Sequence, residues 1–197
     1  MTRTYYVTTP IYYVNDRPHL GQIYTTVVAD VIARYRRLMG DEVRFLTGTD
    51  EHGQKMERSA ARLGVREIDL ADAVVGNYLD LYPRLEITND DFIRTTQPRH
   101  RLAVEELFRS MRNNGDIYLG AYEGWYCTGC EAFYPENQVR DGRCEVGHAV
   151  ERMKEESYFF RLSAYGERLL ELYRRREEQG RPFVHPRGRM NEVRSFV

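Results

Sequence analysis

The sequence predicts an α/β protein: a doubly wound parallel sheet with a small β-rich segment inserted into it. Three observations lead there. A strand, a loop, a helix and a second strand follow one another within the first 50 or so residues, the order of a βαβ unit, whose long connection sets its two strands parallel. Helical periods and short β-branched or aromatic runs then continue to about residue 115. Between 117 and 160 the helical period disappears, and short aromatic runs, glycines and all three cysteines replace it.

Composition limits the rest. The 197 residues are 30% charged, 42% hydrophobic and 12% aromatic, as expected of a folded protein of one or two domains. No run approaches the roughly 18 apolar residues of a membrane span, and MTRTYYVTTPIYYV lacks the charged, apolar and small-residue regions of a signal peptide, so a cytoplasmic protein is expected. Lys and Arg total 29 against 30 Asp and Glu, a net charge of −1. No domain-wide positive field invites nucleic acid, and any such contact must come from local patches.

The elements follow in order. Tyr5 to Thr9 read as a short buried strand that Pro10 stops, and a loop with Asn15, Asp16 and Pro18 comes next. From 20 to 39 the apolar residues Ile23, Val27, Val31, Tyr35 and Leu38 recur at steps of three and four, one stripe of a helix that Gly40 ends. Residues 43–49 give the second strand. Helices are predicted over 54–63, 68–81 and 100–111, with a short strand at 92–94. A last helix is predicted over about 164–179, followed by an irregular Pro/Gly/Arg segment. The expected division is a nucleotide-binding half over 1–115, a β-rich insertion over 116–160 and a return segment over 161–197.

Two constellations carry chemistry. Ligands of open α/β sheets bind outside the carboxyl ends of the strands, where a helix start offers free N–H groups and a positive dipole end. His19-Leu20-Gly21-Gln22 falls there. Gly21 lets a flat ring or a phosphate approach, and His19 and Gln22, one turn apart, can both donate to phosphate oxygens. The alternative is that His19 merely caps the helix. Residues 47–53, all polar or tiny, suit a cleft at the end of the second strand, with Asp50 the natural counter-ion for an ammonium group; alternatively Asp50 caps the next helix while Glu51 and His52 are solvated. Of the Tyr12–Tyr13 pair, at least Tyr13 is assigned to binding.

The second constellation is Cys127-x2-Cys130, thirteen residues, then Cys144-x3-His148. Three cysteines cannot all pair, and this spacing presents two soft ligands from each of two turns. Four ligands close a tetrahedral Zn²⁺ shell of structural type, which would stabilise a small segment with little core of its own. Trp125 and Phe133 are expected to pack around it.

The stretches TTPIYYVNDRPHLGQIYTTVVADVIARYRRLMG and FLTGTDEHGQK, with DDFIRTT, GDIYLGAYEGWYC, ESYFFRL and NEVRSF, resemble the amino-terminal catalytic region of the methionyl-tRNA synthetases, class I aminoacyl-tRNA synthetases. The resemblance implies a Rossmann-like doubly wound sheet with an inserted zinc knuckle. It implies ATP-dependent activation of L-methionine, with Mg²⁺, and transfer to tRNA(Met). His19, Leu20, Gly21 and Gln22 stand where the family has its ATP-binding H-[IL]-G-H signature, so His19 and Gln22 are the expected catalytic pair. Ile11 and Tyr13 fall in the methionine pocket, and Asp50 where the family holds the α-amino group. Gln22 replaces the second histidine; its amide still donates but carries no proton charge, so weakened or retuned ATP binding is expected. The second metal half is C-x3-H where the family more often shows C-x2-C or C-x2-H.

The family's K-M-S-K-S loop does not occur in this sequence, which suggests an amino-terminal fragment. Two other readings are a non-catalytic module that binds nucleotide or tRNA through the knuckle, and another nucleotidyltransferase of the superfamily. Arg174-Arg175-Arg176, followed at once by Glu177 and Glu178, is expected to be a solvated mixed-charge helix rather than a tRNA contact.

Overall fold

A computed structural model describes residues 3–197. It divides into two compact units, one of the chain up to Leu107 with Gly124–Met153, the other of Phe108–Glu123 with Lys154–Val197.

The first unit holds a parallel sheet centred on β3 (Glu42–Asp50). On one edge lie β1 (Thr4–Thr8) and β2 (Tyr12–Tyr13), and on the other lies β4 (Asp91–Arg94). Helices α1 (Leu20–Leu38), α2 (Gln54–Leu63) and α3 (Glu67–Arg84) connect the strands, and α4 (Pro98–Asn113) follows β4. The parallel pairing of β1 with β3 through α1 is the expected βαβ unit. The two-residue β2, which the sequence hides behind Pro10, is an addition.

Pro10 has no N–H for the ladder, and the strand breaks there. Pairing runs from Thr4↔Glu42 to Thr8↔Leu46 and resumes with Tyr12↔Thr49 and Tyr13↔Asp50. The first strand therefore carries one residue more than β3 opposite the break, and a one-residue slip exchanges the faces of everything beyond it. Tyr12 turns into the core at 5% exposure while Tyr13 stays 46% exposed. Gly48 has a separate reason. A Cβ there would lie 2.0 Å from the carbonyl oxygen of Ile93 on β4, so only glycine lets the central strand meet its neighbour.

Tyr12, Val14, Met56, Ala71, Val74, Val75, Tyr78 and Tyr82 form the main core, and Phe45 packs with Ala29 and Ala33 in a second cluster. The α1 stripe read from the sequence is not the buried face. Val31 and Leu38 are 59% and 86% exposed, whereas Thr26, Ala29, Asp30 and Ala33 are buried. The small alanines let the helix lie close to β1 and β3, and buried Asp30 accepts from the Thr88 N–H and hydroxyl at 2.7 and 2.6 Å.

Strands β5 (Ile117–Cys127), β6 (Ala132–Tyr134) and β7 (Glu151–Phe160) make a three-stranded sheet in the order β6-β5-β7, within the region expected to be β-rich. In the second unit, α5 (Gly166–Glu178) corresponds to the expected last helix, with Arg174 and Arg175 exposed. A further helix, α6 (Arg187–Phe196), occupies the segment read as irregular. Its only apolar positions, Met190, Val193 and Phe196, are sparse among arginines; ion pairs of 2.6 Å join Arg189 to Glu192 and Arg194 to Glu177 of α5.

At the end of β3, Glu51 is 3% exposed, not solvated. Its carboxylate accepts from Arg94 Nε and Nη2 at 2.6 and 3.0 Å and from the hydroxyls of Thr49 and Thr96 at 2.6 and 2.5 Å. Burial alone would raise this carboxyl, but the bonds from Arg94, Thr49 and Thr96 outweigh it and hold Glu51 below the usual carboxylate range. A lowered folded value stabilises the protein above the unfolded value of about 4.3, and that contribution is lost as pH falls through the folded value. Glu51→Gln should therefore cost about 3 kcal/mol at pH 7 in urea unfolding, and the gap to wild type should shrink as pH falls below about 4; a gap independent of pH would contradict this origin.

Candidate functional site

The site is assembled where β2 and β3 end and α1 begins. Tyr13 and Asp50 are register partners on adjacent parallel strands, so their side chains leave the same face of the sheet. Lys55 of α2 lies 5.7 Å from the centroid of the Tyr13 ring and pairs with Glu131 at 3.7 Å. The Glu131 carboxylate, with smaller contributions from burial and Asp50, pushes the Tyr13 phenol above its ordinary value, so it remains a protonated donor. Ile11, just before β2, is exposed. Lys55 ends the FLTGTDEHGQK stretch, which assigns it no role, Glu131 lies in no such stretch, and only the folded chain brings them to Tyr13. Thr47, Gly48 and Thr49, expected in a cleft with Asp50, are instead buried, because β3 is flanked on both edges.

The start of α1 is a capping box built from an unusual pair. His19 is the N-cap; its Nδ1 accepts from the Gln22 N–H at 3.4 Å, and Gln22 Oε1 accepts from the His19 N–H at 3.0 Å. The cap alternative for His19 is thus realised, and it leaves donors free. With Nδ1 accepting, the neutral imidazole carries its proton on Nε2. A main-chain N–H can only donate, so the Gln22 atom facing it is the oxygen and the amide nitrogen points elsewhere. Gly21 leaves the His19 ring room, since a Cβ there would crowd it at 3.2 Å from Cε1. Leu20 is exposed, and no acidic residue occupies the first turn, so the positive end of the helix is uncompensated.

Tyr78 of α3 joins the two parts. Its ring stacks on Tyr12 with centroids 5.7 Å apart and planes 6° from parallel, and its hydroxyl donates to Gln22 Oε1 at 2.8 Å. Tyr12 in turn meets the Thr26 hydroxyl of α1 at 2.9 Å. Thr26 donates to the Gln22 carbonyl, so Tyr12 is the donor of that pair. The residue beside Tyr13 is therefore locked to the helix that carries His19.

The knuckle gathers as its spacing predicts. The ligand atoms of Cys127, Cys130, Cys144 and His148 all lie within 4.8 Å of one another. Cys144 Sγ is 3.7 Å from both Cys127 Sγ and Cys130 Sγ, and Cys130 Sγ is 3.3 Å from His148 Nδ1. Metal–sulfur bonds of about 2.3 Å in a tetrahedral shell put ligands about 3.8 Å apart along each edge, whereas a disulfide needs about 2.05 Å. The cluster thus fits a single metal ion, and all three cysteines are free. A Cβ on Gly129 would fall 2.5 Å from His148 Nδ1, so this glycine makes room for the fourth ligand. Trp125 and Phe133 flank the cluster on β5 and β6: the indole donates to Glu136 at 2.7 Å, and Phe133 packs on Tyr126.

The parallel sheet is that of the class I tRNA synthetases. A solved Agrobacterium radiobacter LeuRS–tRNA–LeuAMS ternary complex shares the fold at a TM-score of 0.70 and 22% identity over 86% of this chain and 22% of that one. The family model described as tRNA synthetases class I (M) matches residues 5–146, and the chain belongs to that methionyl-tRNA synthetase family. It is 49% identical over its whole length to the methionine–tRNA ligase of Caldanaerobacter subterraneus subsp. tengcongensis and 50% identical to that of Rickettsia conorii, covering 30% and 38% of those proteins. A solved Mycobacterium tuberculosis methionyl-tRNA synthetase in complex with methionyl-adenylate matches 99% of the chain and 38% of its own, with a TM-score of 0.89 and 44% identity. The chain thus spans 30–38% of the length of these methionyl-tRNA synthetase relatives. Among the described residues no helix is long and apolar enough to cross a membrane.

Gly129→Ala should push the His148 ring out of the cluster and weaken divalent-metal binding about tenfold or more, read by competition with a chromophoric chelator. Unchanged affinity would remove His148 from the ligand set.

Proposed function

We propose that this chain is the methionine- and nucleotide-binding part of a cytoplasmic methionine–tRNA ligase, which activates L-methionine with ATP and passes the methionyl group to tRNA(Met). The observation that carries this reading is the pairing of Tyr13 with Asp50 at the strand ends, locked through Tyr12 and Tyr78 to the capped start of α1, in a chain with a 44% identical relative solved with methionyl-adenylate.

In this reading the Asp50 carboxylate pairs with the substrate ammonium, while Tyr13, with Ile11 beside it, borders the thioether side chain. The methionine carboxylate, already anionic at neutral pH, attacks the α-phosphorus of ATP; an oxygen–phosphorus bond forms, the bond to the β-phosphate breaks and pyrophosphate leaves. Little acid–base help is needed. The barrier is lowered by in-line placement and by donors aimed at the growing phosphate charge: the Nε2–H of His19, the Gln22 amide and the N–H groups of the first turn at Leu20 and Gly21. Mg²⁺ enters with ATP and neutralises part of its charge. Zn²⁺ would be held by Cys127, Cys130, Cys144 and His148 in a closed shell that supplies stability rather than chemistry. The organisation we propose is the nucleotide-binding half over 1–115, the connective zinc insertion over 116–160 and the return toward a second half over 161–197.

Asp50→Asn in the intact protein should raise the KM for methionine at least about 30-fold in pyrophosphate–ATP exchange, with the KM for ATP little changed. An unaltered KM for methionine would remove Asp50 from its role.

A further inference from the structure

Glutamine is a poor substitute for histidine beside an anion for a specific reason. A protonated imidazole offers N–H from both of its nitrogens, whereas a carboxamide turned by 180° presents its oxygen, which repels phosphate. A glutamine at position 22 can serve a nucleotide only if its amide is held one way round. Two donors hold it here. Gln22 Oε1 accepts from the His19 N–H at 3.0 Å and from the Tyr78 hydroxyl at 2.8 Å, while Nε2 makes no hydrogen bond among the described residues. Gln22 is half-buried, so that nitrogen keeps access to a ligand at the helix start.

We infer that Tyr78 is a positioning residue for nucleotide binding, fixing the Gln22 amide so that it offers N–H and not C=O to phosphate oxygens. The inference rests on the activating role proposed above. Tyr78 suits the task because nothing about it can turn. It is fully buried, stacked on Tyr12, edge-on to Tyr82 at 6.0 Å and tilted against Phe92 at 6.4 Å. Burial, then the neighbouring Tyr82 and Tyr12, push its phenol far above the ordinary value, so the hydroxyl keeps its proton. Among the described residues its one hydrogen bond to a side chain goes to Gln22. Position 78 thus supplies from outside the polarity that a protonated histidine at 22 would have by itself.

The test is a double-mutant cycle in the intact protein: wild type, Tyr78→Phe, Gln22→Ala and the double variant. Phenylalanine keeps the stacked ring and removes only the hydroxyl. Each variant is assayed for methionine-dependent pyrophosphate–ATP exchange, with KM for ATP and for methionine measured separately and folding checked by thermal melts. Tyr78→Phe should raise the KM for ATP about three- to tenfold, the value of one hydrogen bond, leave the KM for methionine unchanged, and add nothing once Gln22 is alanine. An equal effect in both backgrounds, an equal effect on methionine, or no effect with Gln22 present overturns the inference while the activity stands. A folded wild type without methionine-dependent exchange overturns both.

Discussion

One sealed carboxylate organises the site end of the sheet. Glu51 has a side chain without solvent access, and a charge in that position must be met by partners. Those partners come from several elements: Arg94 at the end of β4, Thr49 of β3 and Thr96 just beyond β4; separately, the Thr95 hydroxyl accepts the Glu51 main-chain N–H at 2.9 Å. Arg94 extends the clamp to Asp72 of α3 at 2.6 Å. The central strand, one neighbour and one covering helix are thereby held together immediately after Asp50, whose carboxylate depends on that anchor for its position beside Tyr13.

The second constraint is the break at Pro10. The slip that follows it separates two adjacent tyrosines, sending Tyr12 to the core and Tyr13 to the surface. Around the break runs a buried set of hydroxyls. Thr9 donates to the Pro10 carbonyl at 2.8 Å and so accepts from Thr47 at 2.7 Å, while Tyr12 meets Thr26. The interrupted strand has lost ladder bonds, and these side chains replace them with bonds to β3 and α1. Rigidity at this end of the sheet holds a strand end and a helix start in one fixed arrangement, as the proposed site requires.

Much of this was legible in the sequence because it is local. The βαβ unit shows in the period of the apolar residues, the helix start in His19 and Gly21, and the knuckle in its cysteine spacing, since each is set by neighbours a few residues apart. What the sequence hid is set by distant partners. The apolar stripe of α1 gave the right helix but the wrong face, because Ala29, Ala33 and the bonded Asp30, rather than Val31 or Leu38, meet the sheet. Glu51 reads as a surface residue until Arg94, 43 residues away, is seen beside it. Glu131 and Tyr78 carry no motif, Lys55 sits in FLTGTDEHGQK without showing its partner, and α6 has too few apolar residues to display a stripe.

The proposal that methionine is the acid this site activates is tested most directly by amino-acid-dependent pyrophosphate–ATP exchange by the intact protein, run with each of the twenty amino acids in turn. It predicts exchange with methionine far above every other amino acid, leucine and isoleucine included. Exchange without added amino acid, or faster with another one, would contradict it.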